Sequence, residues 1–408
     1  MKRTVSGMVL LLITMTSTGV VVPLVASSVP WWNKYWRFRK PITLVEQSGS
    51  TLVDFQVKIE VPYDADMRAD FSDLRFVDSS GNNLSYWLER YSFSSLAVVW
   101  VKVPQIPALD TETIYMYYGN STASSESNGD AVFDFFDDFL GTELDTEKWT
   151  WQTAWSEYDT TELQNGTGYV EVTNSIVSVV APKNNQFFPW ETQITQLASL
   201  SDFTLPLILE GNLSIPNWGG YGSAGWYRAA WSGLSDSNIT PPGPHNLYWR
   251  FGAGFVLASE GNYCPYVQNE SVWNYASNYP DTPVYFHTYR VLWKTNSAKF
   301  YRDGIYHGEL TTNVPNKSLP VWFMASNWAG TRDYPDSKID IEWVRVRKYA
   351  FLEPTYSIGP EEIIPEFPLT MILPLFIALT LIITLISKKK FKKMHQSNTT
   401  KMIHKDKL

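Results

Sequence analysis

The chain has 408 residues, 44% hydrophobic and 18% charged, a balance that excludes a disordered polymer and supplies two or three folded domains. Its formal charge is −8 and its basic residues crowd near the C-terminus, which excludes a nucleic-acid binder with a basic face through its body. A single cysteine, Cys264, excludes an intrachain disulfide, so packing and any bound ion must hold the fold.

In chain order, residues 1–28 open with Lys2 and Arg3, continue through the apolar run 8–14, and end in the small residues Val25-Ala26-Ser27-Ser28. That is the pattern of a secretory signal peptide. Residues 31–120 then alternate with period two in FQVKIEV, LRFVD, VVWVKV and TIYMYYGN, separated by turn clusters such as Asp78-Ser79-Ser80-Gly81. The alternation predicts an antiparallel β-sandwich with one face of each strand buried. Residues 121–130, STASSESNGD, are small and polar and read as a linker.

Residues 131–350 carry many more short alternating segments, among them LPLILEGNLSI, HTYRVLW, VWFMAS and KIDIEWVRVRKY. They predict a second, larger sandwich or jelly roll. Within it, Asp303-Gly304 between FYR and IYHGEL predicts a tight hairpin, because both central residues of a type I′ turn need φ > 0. A further linker is expected over 351–368. Next, 369–386 is uncharged for 18 residues, about 27 Å of helix, and Lys388, Lys389, Lys390, Lys392 and Lys393 follow. This predicts a transmembrane helix with a basic cytoplasmic tail over 387–408 and the preceding bulk outside the cell. The fold class expected is all-β: two antiparallel sandwiches plus a C-terminal transmembrane helix.

Three resemblances accompany this reading. Trp36-Arg37-Phe38-Arg39-Lys40-Pro41-Ile42, Phe71-Ser72-Asp73-Leu74-Arg75-Phe76, Val99-Trp100-Val101-Lys102-Val103-Pro104 and Ile114-Tyr115-Met116-Tyr117-Tyr118-Gly119-Asn120 resemble a domain of unknown function recurring on archaeal and bacterial surface proteins. Phe300-Tyr301-Arg302-Asp303-Gly304 and Ile341-Glu342-Trp343-Val344-Arg345-Val346, with Asp137-Asp138-Phe139 and Trp149 at the opening, resemble the concanavalin A-like lectin and glucanase superfamily. Pro365-Glu366-Phe367 before the apolar run resembles the sorting tails of archaeal surface proteins, in which a transpeptidase removes the helix. This chain runs on from Met394 to Leu408, so a permanent single-span anchor is the default and processing the alternative.

The second resemblance implies either an enzyme or a lectin. Retaining glucanases need two carboxylates about 5–5.5 Å apart, which a strand supplies at alternate positions. The nearest strand, LPLILEGNLSI, offers Glu210 and no partner two or four residues away. The acids Glu143, Asp145 and Glu147 lie among turn formers and read as a solvated loop. The resemblance also implies a structural calcium ion, for which Asp137, Asp138 and Glu342 are the candidate oxygen ligands.

Recognition points instead to residues 217–275, where tryptophans lie among glycine, asparagine and arginine. Trp218, Trp226, Trp231 and Trp249 are candidate platforms for sugar rings, with Arg228, Asn246 and Arg250 as polar companions. The alternative for each tryptophan is a place in the sandwich core. In the part expected outside the cell, seven sequons, at Asn83, Asn120, Asn165, Asn212, Asn238, Asn269 and Asn316, mark glycosylation candidates. The expected function is a membrane-anchored extracellular protein that binds a polysaccharide, an envelope glycan or a neighbouring envelope protein without catalysis. Competing readings are a divergent glycoside hydrolase or lyase using Glu210, and a purely structural envelope protein.

Overall fold

The computed structural model describes residues 30–156, 164–182, 192–216, 228–235, 251–257, 263–269, 272–275, 284–328, 336–364 and 377–389. The first part of the chain forms β1 (Phe38–Val45), β2 (Leu52–Pro62), β3 (Arg75–Val77), β4 (Asn83–Leu84), β5 (Tyr86–Ser92), β6 (Leu96–Ile106) and β7 (Thr111–Tyr118). A short helix α1 (Gly129–Val132) precedes β8 (Phe135–Asp137), β9 (Trp149–Ser156), β10 (Gln164–Asn165), β11 (Tyr169–Thr173), β12 (Ile176–Ala181), β13 (Thr192–Phe203) and β14 (Leu207–Ser214). There follow β15 (Arg228–Ser235), β16 (Phe251–Leu257), β17 (Tyr263–Asn269), β18 (Val272–Tyr275), β19 (His287–Lys294), β20 (Ser297–Arg302), β21 (Ile305–Leu310), β22 (Leu319–Trp328) and β23 (Ser337–Lys348). The last strands are β24 (Thr355–Ile358) and β25 (Glu362–Ile363).

The first sandwich packs a sheet of order β24-β1-β7-β3-β4, with β25 also on β1, against the sheet β2-β6-β5. Alternation explains the core. Ile42, Leu44, Ile114 and Met116 from one sheet meet Val57, Ile59, Val99 and Val101 from the other, all essentially inaccessible to water. The second sandwich joins β10-β9-β13-β22-β15-β16-β17-β18, here called the large sheet, to β11-β12-β23-β14-β19-β20-β21, with β8 on β23. Leu207, Leu209 and Leu213 of β14 and Ile339 and Ile341 of β23 face Leu197, Leu234, Phe255 and Phe323 across that core.

The hairpin forms as the sequence predicts. Asp303 and Gly304 take φ of 49° and 79° between β20 and β21. Asp303 is also held from outside the turn: its Oδ1 accepts from the Thr288 N–H at 3.0 Å and its Oδ2 lies 2.7 Å from His287 Nδ1.

Two segments expected as linkers are part of the fold. Residues 355–363 return to the first sandwich and pair with β1, with Val45 opposite Thr355 and Phe38 opposite Ile363. The second sandwich is therefore inserted between two parts of the first. The stretch before α1 is likewise fastened down: Arg75 Nη2 donates to Ser124 O and Glu126 Oε1, both at 2.8 Å, and the Leu88 N–H donates to Ser127 Oγ at 2.8 Å. Small polar residues suit a free tether, but they serve equally as partners for a buried arginine.

Among the described residues no helix is long and apolar enough to cross a membrane. The described helix covers 377–389, and residues 369–376 of the expected span lie outside the described residues.

Candidate binding face

The site resolves into two questions: what Glu210 does, and what the outer face of the large sheet offers. Strand β14 alternates, so Leu209 and Gly211 face the core and Glu210 points to the opposite side of its sheet. There Glu210 is fully buried among three guanidiniums. Arg290 Nε donates to Oε1 at 2.6 Å, and Arg345 Nε and Arg347 Nε donate to Oε2 at 2.7 and 3.1 Å. Burial alone would raise its pKa, but Arg345, Arg347 and Arg290 outweigh it and hold the carboxyl well below its usual range. A general acid needs the opposite shift and an approachable oxygen. The catalytic reading of Glu210 is therefore corrected: its hidden partners are arginines.

These arginines form the junction between the sandwiches. Arg345 Nη1 reaches Glu89 of β5 at 2.9 Å, and its guanidinium carbon lies 4.3 Å from the ring centre of Trp100 and 4.6 Å from that of Trp343. Arg347 pairs with Glu353 at 2.8 Å. Three guanidiniums thus face three carboxylates, Glu210, Glu89 and Glu353. Trp87, Trp100, Val132, Phe133 and Phe136 close around them as a buried cluster. Gln56 completes the seam, donating to Val132 O at 3.1 Å and accepting from the Lys348 N–H at 3.1 Å.

The large sheet differs in chemistry. Its eight strands contain one acidic residue, Asp202, exposed at the end of β13 beyond a register shift. Register places Gln196 opposite Met324, Ala198 opposite Trp322, and Ile194 opposite Ser326 on its outer face. Ile194, Ala198, Trp322 and Met324 form a buried cluster there, and Trp322 Nε1 donates to Gln196 Oε1 at 3.2 Å. The face continues through Gly233, opposite both Trp322 and Gly254, to Tyr266, opposite Gly254. Strands whose two faces are both buried, such as VWFMAS, signal that this outer face is covered. In sequence, VWFMAS reads as an alternating strand with one face buried, which does not single out Trp322, Gln196 or Tyr266.

Of the predicted platform residues, Trp231 falls at a register position opposite Met324 and Val256, on this face. Arg228, three residues earlier on β15, falls at the alternate positions, opposite Asn327. Trp218, Trp226, Trp249, Asn246 and Arg250 lie outside the described residues.

The expected calcium ligands do not fit a calcium site. Asp137 has both oxygens engaged, Oδ1 by the Phe139 N–H at 2.7 Å and Oδ2 by the Trp149 indole at 2.6 Å. Burial raises the pKa of Asp137, and burial with the neighbouring Asp137 raises that of Asp138. Glu342 is bonded to the amide of Asn212, and the three acids do not gather. Among the described residues, the one trio of carboxylates with ligand atoms mutually within 4.8 Å is Asp64, Asp66 and Glu361. The acids Glu143, Asp145 and Glu147 form the expected exposed turn, with Asp145 Oδ1 accepting from the Glu147 N–H.

Of the sequons, Asn83 and Asn316 are exposed, Asn120 and Asn269 are half-buried, and the Asn212 amide is engaged by Glu342. Asn165 has no described side chain, and Asn238 lies outside the described residues.

Residues 70–152 match the family model "Domain of unknown function (DUF2341)". The matched stretch holds both sides of the junction, from Trp87 and Trp100 to Phe133 and Phe136. No curated protein matches the chain. Among solved structures, the endo-β-1,3-glucanase of Pyrococcus furiosus is similar at 18% identity and a TM-score of 0.39, over 54% of this chain and 95% of that one. The β-glucanase of Bacillus licheniformis is similar at 18% identity and a TM-score of 0.38, over 53% and 98%. At these scores the likeness decides nothing about this chain, whose architecture rests on its own strand order and register.

Proposed function

We propose that this protein is a membrane-anchored extracellular binding protein that holds an extended glycan, or a glycan-bearing neighbour in the envelope, against the outer face of its large sheet. The observation that carries the reading is that the outer side of this sheet has a buried base of Trp322, Tyr266 and Gln196 and, among the described residues, no paired carboxylate, while the tryptophan-rich sequence between its strands supplies the candidate platforms. Flat aromatic faces suit the C–H surfaces of sugar rings, and exposed amides and guanidiniums suit hydroxyls. Chain connectivity favours an extended ligand. Trp226 precedes β15 by two residues in sequence and Trp249 precedes β16 by two, and these antiparallel strands begin at opposite ends of the sheet. Eight residues of strand separate those ends, about 25 Å.

The anchor is supported by the helix over 377–389, whose Ile377, Leu379, Leu381, Ile382, Ile383, Leu385 and Ile386 are all more than half exposed. An apolar surface of that kind has its natural solvent in a bilayer. Glycan-array binding by the full chain in detergent tests the function. Trp226→Ala, Trp249→Ala and Trp231→Ala are expected each to weaken binding at least tenfold, about 1.4 kcal/mol or more. Absence of binding to any glycan, together with ordered self-assembly, would replace this reading with a structural envelope role.

A further inference from the structure

The described extracellular part begins and ends at one corner of the first sandwich. The Ile364 N–H donates to Arg37 O at 2.9 Å, Phe38 pairs with Ile363, and Arg39 Nη1 lies 3.5 Å from Pro30 O. Only residues 365–368 separate Ile364 from the apolar run that starts at Leu369. Five chain steps reach at most about 18 Å. If 369–386 spans the bilayer, this corner cannot stand far from it, since the headgroup layer itself is about 5–8 Å deep.

The corner is built for such a neighbour. Tyr35 is 64% exposed and Ile363 58% exposed, while Lys34 and Arg37 project beside them. Tyrosine and tryptophan favour membrane–water interfaces because one end of the ring is apolar and the other wet. Tyr35 adjoins a firm base: Trp36 is buried, donates to Asp73 O at 2.7 Å, and packs at a tilt against Trp32. Charge at this corner is mixed. Lys34 and Arg37 are exposed, Asp66 and Glu361 lie close to Asp64, which is paired with Lys40 at 2.8 Å, and Glu362 is paired with Arg39 at 2.7 Å. The contact therefore rests on ring and aliphatic surface and does not require anionic lipid.

We propose that this corner of the first sandwich lies on the outer surface of the bilayer, with Tyr35 and Ile363 seated among the lipid headgroups. The inference rests on the anchor reading above and goes beyond it. A tether alone leaves the domain free to swivel, whereas a seated corner fixes which way the inserted second sandwich is presented.

The test uses the full chain with Cys264→Ser, reconstituted in phosphocholine vesicles containing a headgroup-nitroxide lipid. One variant carries a dye at Lys34→Cys and the other at Leu109→Cys. Leu109 is 77% exposed and lies beside the Val45 end of β1, about 23 Å along the strand from Phe38. Quenching at position 34 is expected to exceed that at 109 severalfold. The difference is expected to survive a Gly/Ser spacer of about twenty residues after Phe367, with a reach of about 25 Å, and to fall on Tyr35→Ser. Resistance to carbonate extraction with equal quenching at both positions, or loss of the difference in the spacer variant, keeps the anchor and overturns the seating. Shielding at position 34 that scales with protein-to-lipid ratio, without lipid quenching, assigns the corner to a second copy and also overturns it. Release by carbonate refutes the anchor, and the seating falls with it.

Discussion

Glu210→Gln separates a structural carboxylate from a catalytic one. The wild-type carboxylate, itself closed to solvent, pairs with Arg290, Arg345 and Arg347. Glutamine keeps the shape but removes the charge. Arg345 would retain Glu89 and Arg347 would retain Glu353, whereas Arg290 would turn to solvent, to which it is already one-third exposed. Removing one partner from a buried ion pair costs about 3–5 kcal/mol. For a domain of this size that corresponds to a fall in Tm of about 6–20 °C. The pH dependence has a definite sign. Because the folded carboxyl is held below its unfolded value, its contribution is complete above about pH 4.3 and is lost as pH falls through the folded pKa. Wild-type stability should therefore drop below about pH 4, and the variant should show a flatter acid limb. Thermal unfolding of the full chain in detergent from pH 3 to 8, with a β-glucan hydrolysis assay in parallel, measures both. An unchanged Tm with abolished turnover would refute the structural assignment and restore a catalytic one.

Other perturbations follow from the same geometry. Arg345→Lys keeps the charge but loses the planar stack between Trp100 and Trp343. It should cost about 2 kcal/mol and split a single calorimetric transition into two as the sandwiches uncouple. Gly254→Ala would put a Cβ 2.0 Å from Ser232 O and 2.8 Å from the Gly233 Cα. The large sheet must part there, at a cost of about 1–3 kcal/mol or more, read as lost glycan binding together with a lowered Tm. Relocating the anchor to follow Tyr349, with residues 350–364 removed, uncovers the β1 edge. Concentration-dependent aggregation by light scattering is the expected result.

Much of the fold was legible because alternation is a local signal. The strands of both sandwiches, and the φ > 0 turn at Asp303-Gly304, follow from residues within a few positions of each other. The return of residues 355–363 to β1 was not legible, since Thr-Tyr-Ser-Ile is short and pairs with residues more than 300 positions away. The arginines had left a trace that went unread. In WVRVRK, Arg345 and Arg347 alternate with Val344 and Val346, so one face of β23 is core and the other carries buried charge. That pattern on a strand implies carboxylates from another element. Glu210 could have been found the same way, as a lone acid on a strand otherwise buried on both faces. The expected binding residues are legible as composition only, because the sequence around Trp218, Trp226, Asn246, Trp249 and Arg250 shows no strand period to constrain direction.

The insertion changes what the first sandwich does for the second. A domain joined by one linker can swing, whereas this one is joined by two strands of chain and a seam of buried charge and aromatic rings. Gln56 illustrates the consequence: one amide accepts from β23 and donates to the last residue of α1, so neither sandwich can shift without breaking both bonds. Both chain ends of the two sandwiches sit on the sheet opposite the seam, since β1 and β25 belong to one layer and β2, β5 and β6 to the other. Under the proposed function, any load on a glycan at the large sheet would pass through the Glu210–arginine cluster before reaching the proposed anchor. A charge cluster this costly to desolvate is better understood as a joint that fixes angle than as a source of stability.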